Sequence, residues 1–587
     1  MRPQRREVRA RYVRVEHYRG NDVDIEQTTV VIVGAGPVGL SMAGLLGRYG
    51  IPAVVVERRG QVNPHPRARS INVRTVEVFR QWGIQDELEA VCLPPAWGER
   101  FVYCDTLAGR EIGRTTLNIQ PVVEGEVLSP APWLLSSQDQ IEPVLLRYVE
   151  RLDGIDIRWA EEFVALDADR TGVTVHTRRA SDGTERQLRA RWLVAADGAA
   201  SPVRRSLDIA MEGGHDLATL VNCQFRANLA RFTEHRPATL YWTTGPDRNV
   251  FQKIDMQDRW LCQLGYDPRE HRPEDFDRET AAAWILRSIG ATDPAVIDEI
   301  GLEVMDVIPW TMSCTVAESM RVGPVFLAGD AAHQLPPSGG FGMNTGVQDT
   351  HNLAWKLAFV ERGWAGDALL DTYDTERRPV ARYNADRSFE NTRKVGKIRR
   401  LMESGKPEEA AAAVADSAQY GNWLGMDLGL HYDEGAVIAD GTEPPRVADP
   451  IGQYAPCACP GHRAPHLLVR RDGRSCSTLD LFDATFVLIA GSAGAAWAEG
   501  ATALGSPVLA VYRLGADLQA DPDEDRDLAS LYGIGDAGAV LVRPDGHVAW
   551  RSPDGATDTL AARAALETVL TTLLAPPTLS AAGTGGG

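Results

Sequence analysis

The chain has 587 residues, 44% of them hydrophobic and 24% charged, which is near the globular average and long enough for roughly three or four domains. A formal charge of −19 argues against a nucleic-acid partner, because phosphate binding needs a basic face. No apolar run reaches the roughly 18 residues of a membrane span, so no membrane partner is expected.

Residues 1–27 are an Arg-rich N-terminal extension that lacks the apolar core of a signal peptide. From Thr28, TTVVIVGAGPVGLSMAGLLGRYGIPAVVVERR predicts a buried strand, a Gly turn, a helix and a second strand, one βαβ unit. TVEVFRQWGIQDEL predicts an amphipathic helix ended by Gly83, and residues 99–135 are irregular with short strand-like runs. SSQDQIEPVLLRYVERL resumes a helix with Ser136 or Ser137 as its cap, and RWLVAADGAASPVRRSL is a strand that breaks at Asp197-Gly198. This first part of a cofactor domain covers 28–208. Residues 209–320 change to short strands and predict a mostly antiparallel lobe, and 321–420 return to the cofactor domain and add helices. A Gly-, Pro- and Asp-rich linker over 421–460 leads to an α/β unit over 461–577, and 578–587 is a disordered tail.

Gly34, Gly36 and Gly39 form G-x-G-x-x-G between strand and helix, with Pro37 opening the helix and Glu57, followed by Arg58, ending the next strand. Gly34 permits the tight turn, Gly36 lets backbone N–H groups reach a pyrophosphate, and Gly39 allows close packing. Glu57 suits an adenosine ribose. The motif predicts a dinucleotide and does not distinguish FAD from NAD.

The segment GDAAHQLPPSGGFGMNTGVQDTHNLAWKLA, starting at Gly329-Asp330, closely resembles the flavin-ribityl motif of the group A FAD-dependent aromatic hydroxylases. HPRARSINVRTVEVFRQWG from His65, the segment from Ser137-Gln138 to Glu142, AADGAASPVRR and YDTERRPVA extend the resemblance over about 28–385. It implies bound FAD, with Asp330 on a ribityl hydroxyl and Pro337 and the backbone from Gly340 through Gly342 and Met343 to Asn344 beside the pyrimidine ring. A helix beginning near Asn344 would point its positive end at the ring. Arg67 would approach a flavin that swings between two positions, Gln138 would lie near it, and Asp197-Gly198 would serve FAD and nicotinamide handling. Without the motif, Arg67 reads as a solvated loop residue.

The resemblance also implies an α/β architecture: a Rossmann-like FAD domain interrupted by the antiparallel substrate lobe, then a thioredoxin-like C-terminal domain of the phenol-hydroxylase branch, opened by PGHRAPH. That domain lacks C-x-x-C, and only Cys476 stands near the expected position, so a structural or dimer-supporting role is expected. Cys457 and Cys459 are the one close pair among eight Cys, without the second pair of a zinc site, and reduced thiols of a cytoplasmic protein are expected. His333, His351, His462 and His466 show no ligand spacing, so no metal is expected.

The implied activity is a monooxygenase: NADPH or NADH, visiting a surface groove because no second Gly-rich fingerprint exists, reduces FAD. O2 then forms a flavin C4a-hydroperoxide that hydroxylates an electron-rich aromatic ring. Trp242, Phe251 and Trp310, aromatics on strand-like runs of the lobe, are candidate pocket walls, and no residue is singled out as base. A Baeyer–Villiger or epoxidising oxygenase, a non-catalytic flavin-binding carrier, and a homodimer stay open. The aromatic-polyketide tailoring branch is favoured over the catabolic one on composition, by association alone.

Overall fold

The computed structural model describes residues 25–245, 249–417 and 421–574. Most of the N-terminal extension and the whole 578–587 tail lie outside these residues.

The first sheet is built on the apolar run that follows Gln27. The strand Ile25–Val33, three residues longer than expected at its start, runs parallel between Ala53–Glu57 and Glu185–Ala195. Val30, Val31 and Ile32 are fully buried, as a β-branched run covered on both sides by helices requires. Ile155–Trp159 extends this sheet in parallel on one side, and Val325–Leu327 pairs in parallel with the end of Glu185–Ala195. Residues 28–208 and 321–420 therefore meet in one sheet. Helices Pro37–Arg48 and Phe341–Glu361 pack in the same core.

The second sheet has eight strands, and all neighbours are antiparallel except Leu240–Thr243 beside Arg100–Cys104. Its members Arg100–Cys104 and Glu111–Thr116 come from the stretch read as irregular, and His333–Gln334 closes the other edge. A lobe bounded at 209–320 thus omits three of its own strands. The reason is that strand membership is decided by distant partners, here Tyr241 opposite Val102.

Alternation separates the two faces of this sheet. Val221, Cys223 and Phe225 point to one face with their partners Leu264, Cys262 and Trp260. Asn249 on that face donates from Nδ2 to Ser288 Oγ of the helix Arg278–Ile289. Asn222 and Gln224 point to the other face, where Gln252 accepts from Arg69 Nη1 at 3.2 Å. The second face is therefore the one turned to the cofactor domain.

The expected linker is another correction. Residues 424–429 form the helix Leu424–Gly429, and Leu424, Met426 and Leu428 are buried in the lobe's core. Asp427 Oδ1 accepts from Asn72 Nδ2 at 2.7 Å.

The C-terminal unit holds Phe486–Ala490 parallel to Leu509–Arg513 and antiparallel to Ala539–Val542, with Val548–Ser552 outermost. Helices Ala495–Leu504 and Thr559–Leu574 complete a thioredoxin-like arrangement. Cys476 is not at the redox position of such a fold. It lies on Arg474–Ser477 in a separate three-stranded sheet, whereas Gly491-Ser492-Ala493-Gly494 precede the helix after the first strand.

Buried ion pairs join this unit to the cofactor domain. Arg463 Nε donates to Glu77 Oε2 at 2.9 Å, and Arg543 Nη1 and Nη2 donate to the two oxygens of Glu376, each at 2.9 Å. Burial alone would raise both carboxyl pKa values, but Arg463 with Arg74, and Arg543 with Lys356, hold them at about 2. A depressed carboxyl contributes stability that is complete above its unfolded value and lost as pH falls toward the folded one. The melting temperature is therefore expected to drop steeply between about pH 4.5 and 2. Circular dichroism melts across that window check this; a flat Tm would contradict it. Among the described residues no helix is long and apolar enough to cross a membrane.

Candidate active site

The turn after Ile25–Val33 is fixed by two glycines and left open at a third. A Cβ at Gly34, whose φ is +106°, would stand 2.4 Å from Ala196 O, and one at Gly39 would stand 1.8 Å from Gly34 O. At Gly36 the nearest atom would be Glu142 Oε1, 3.9 Å away. Pro37 takes the first helical position, where no N–H is needed. Glu57 is buried at its strand end, its Oε2 accepting from Ala35 N at 2.8 Å and its Oε1 from Arg59 N at 2.9 Å. Arg58 beside it is exposed.

Across the turn, Asp197 Oδ2 accepts from Val203 N at 3.1 Å while Oδ1 is buried without a partner, and burial raises its pKa. Gly198, at φ +84°, has nothing near its missing Cβ. Asp330 follows Val325–Leu327, its carboxylate solvent-accessible and without a hydrogen-bond partner among the described residues. Its pKa is nonetheless raised by desolvation, against His333 and Arg67, because protein crowds around it. His333 itself is spent on Asp349, with Nε2 2.7 Å from Oδ2.

The long helix starts at Phe341, not near Asn344, because Gly340 at φ +69° supplies the turn. Gly340 N donates to Pro337 O at 3.0 Å, and Pro337 is exposed. Asn344 lies in the first turn with its side chain engaged: Oδ1 accepts from Asn72 N at 3.0 Å, and Nδ2 donates to Ser70 O and Gly340 O. Met343 joins the cofactor-domain core, so the free face here is backbone, with Gly342 open around its Cα.

Arg67 is exposed, with no hydrogen-bond or ion-pair partner among the described residues. Desolvation and Arg59 lower its pKa, while Asp330 and Glu142 raise it, which brings these charges into one cleft. Gln138 Nε2 donates to Glu142 Oε1 at 2.6 Å, and Glu142 Oε2 accepts from Asn63 N at 3.0 Å. Gly36, Arg67, Gln138 with Glu142, and Asp330 are thus gathered from four separate stretches of sequence.

The lobe contributes its inner face. Trp310 lies opposite Leu220, and its Nε1 donates to Asn222 Oδ1 at 2.8 Å. Trp242 is on the same face, stacked on Tyr103 with centroids 6.3 Å apart and its Nε1 buried without a partner. Phe251 is a correction: it pairs with Tyr241 and Cys262 on the helix-covered face, is fully buried and packs edge-on to Phe225. It belongs to the lobe's core. Asn222, Gln224 and Asp306 on the inner face carried no sequence motif; only the parity of their strands reveals them.

An open backbone turn, the buried carboxylate of Glu57 at the adjacent strand end, the orphaned Asp197 Oδ1 and the unpartnered Asp330 fit a pyrophosphate and a polyhydroxylated chain. Together they define a dinucleotide-cofactor enzyme whose cofactor cleft faces a second, polar and aromatic sheet. Residues 27–388 match the family described as FAD binding domain, and residues 458–577 match aromatic-ring hydroxylase, C-terminal. A putative polyketide hydroxylase of Streptomyces halstedii is 38% identical over 568 residues, covering 94% of this chain and 98% of that one. The flavin-dependent monooxygenase PieE, solved with FAD and substrate, has a TM-score of 0.85 at 33% identity, covering 94% of this chain and 99% of that one. Aklavinone-11 hydroxylase, solved with FAD and aklavinone, has a TM-score of 0.81 at 35% identity, covering 94% and 100%. The chain belongs to the FAD-dependent aromatic hydroxylases.

Asp330→Ala is expected to lose FAD and stay folded, since the carboxylate carries no intramolecular hydrogen bond that the fold would miss. Flavin absorbance of the purified variant beside its circular dichroism checks this; full FAD occupancy would refute the assignment.

Proposed function

We propose that this enzyme takes electrons from NADPH or NADH and uses O2 to hydroxylate a phenolic ring of a polycyclic, polyketide-type substrate. The observation that carries the reading is the lobe's inner face, which Trp310 and Trp242 share with buried Asn222 and Gln224. Flat aromatic walls with fixed amides suit a flat ring system bearing hydroxyl and carbonyl groups. The named relatives, among them aklavinone 12-hydroxylase of Streptomyces purpurascens, support the substrate class.

FAD, when bound, supplies the two-electron and oxygen chemistry that amino-acid side chains lack. In this reading Gly36 and the first turn of Pro37–Arg48 hold the pyrophosphate, Glu57 the ribose, Asp330 the ribityl chain, and the N-terminus of Phe341–Glu361 the ring edge. Arg67 adds a guanidinium there. The sheet holds the substrate ring in register and keeps water from the cleft.

A panel of phenols and polycyclic aromatics, assayed for accelerated NAD(P)H oxidation with a hydroxylated product, tests the proposal. Stimulation by simple ketones with ester products instead would favour the Baeyer–Villiger reading. Cys476→Ser is expected to keep the ratio of product to NAD(P)H consumed, because its half-buried thiol, with a pKa raised by burial, has no partner cysteine in the redox position. Loss of turnover in a folded Cys476→Ser enzyme would give that thiol a role.

A further inference from the structure

A phenolic ring is most electron-rich once ionised, and ionisation inside a closed cleft needs a proton acceptor. His65 lies two residues before Arg67 and is 3% exposed. Its Nδ1 is 3.1 Å from Asp306 Oδ2, and its Nε2 is buried with no partner among the described residues. Asp306 stands on Glu303–Ala317 directly opposite Gln224, on the sheet face that carries Asn222 and Trp310. Its side chain is 47% exposed. The pair therefore joins an interior nitrogen to solvent at the seam between cofactor loop and substrate lobe.

The carboxylate fixes the tautomer: Nδ1–H donates to Asp306, which leaves the lone pair on Nε2. The charged groups facing the ring are Asp306 from the lobe strand, Arg67 from its own loop and Asp139 from the start of the helix Gln138–Val149. Burial holds the imidazole below the ordinary histidine range, against Asp306 and with Arg67, so it is neutral and able to accept at neutral pH.

We propose that His65 is the catalytic proton acceptor for the substrate's hydroxyl and Asp306 its positioning partner. The O–H bond breaks with its electron pair left on the phenol oxygen. Nε2 takes the proton, the imidazolium keeps its Nδ1–H on the Asp306 carboxylate, and the proton leaves Nε2 for solvent once the product has departed. No electrons are exchanged in this step, which rests on the phenolic reading of the substrate.

The test uses holoenzyme and 4-nitrophenol, whose phenolate absorbs in the visible, with His65→Asn and Asp306→Asn. In the parent, bound 4-nitrophenol is expected to ionise at lower pH than in water, and both variants should lose that shift while keeping FAD and ligand affinity. Asp306 is half exposed, so its variant keeps the test alive if His65→Asn fails to fold. With the best phenol of the panel, kcat for product should fall on the order of a hundredfold in His65→Asn, with KM changed far less and the acid limb of the pH profile gone. An unchanged ionisation shift in both variants, or a loss confined to KM or FAD content, overturns the assignment of His65 while the phenolic reading stands. A parent enzyme that binds and hydroxylates no phenol overturns that reading, and the proton acceptor with it.

Discussion

Gly36→Val is expected to yield a folded, colourless protein. The Cβ of a residue at this position has Glu142 Oε1, 3.9 Å away, as its nearest neighbour across the fold, so the helix and both strands are expected to remain as they are. The space it fills is the one a pyrophosphate needs for close approach to the backbone N–H groups. Gly39→Val is the informative contrast, since its Cβ would stand 1.8 Å from Gly34 O and must displace the turn itself. The first variant should lose flavin absorbance while keeping the Tm of the FAD-free parent, and the second should lose stability as well. A yellow Gly36→Val protein would mean that the cofactor does not cross this turn.

Arg67→Ala should slow anaerobic flavin reduction by NAD(P)H, in the presence of substrate, by roughly tenfold or more, the loss expected from charge-assisted hydrogen bonds of about 1.5–3 kcal/mol each. The guanidinium is not tied to the protein, and its neighbours Arg58 and Arg59 repel it while Asp330 and Glu142 attract it. It is thus free to bias a cofactor that occupies two positions, and its removal leaves no buried partner stranded. Fold and substrate affinity should change far less. Stopped-flow absorbance measures the rate directly; a rate within about twofold of the parent would return Arg67 to a solvated loop residue.

The parts of this enzyme legible in its sequence are those whose physics is local. Gly34 is demanded by its φ of +106° and Gly39 by its close approach to Gly34 O within one turn, and Glu57 closes the next strand, so their spacing is readable without the rest of the fold. Asp330 and the loop to Gly340 were legible through a family motif, although the helix start was misplaced by three residues because a left-handed Gly340 does not announce itself in composition. Non-local features were hidden. Residues 100–116 looked irregular because their strand partners lie far along the chain. Residues 421–460 looked like a linker because Gly, Pro and Asp dominate, yet Leu424 and Leu428 fill the lobe's core. Phe251 and Trp242 were indistinguishable as strand aromatics; strand parity, unknown without the register, sends one to the core and the other to the inner face. His65 and Asp306 are 241 residues apart, and neither suggests the other.

The ion pairs that hold the C-terminal unit have a consequence for how the protein is made. Glu77 waits for Arg463, 386 residues downstream, and Glu376 for Arg543, 167 residues downstream. At a translation rate of about 5–20 residues per second, the first interval lasts on the order of 20–80 s. During it Arg74 and Ser129 accompany Glu77, and Lys356, Asn352 and Ala436 accompany Glu376, so each carboxylate still lacks the arginine that neutralises it when buried. A ribosome stalled before Arg543 would hold a nascent chain whose cofactor domain cannot close over its own charges. Such a chain is expected to need shielding until the C-terminal unit has left the exit tunnel.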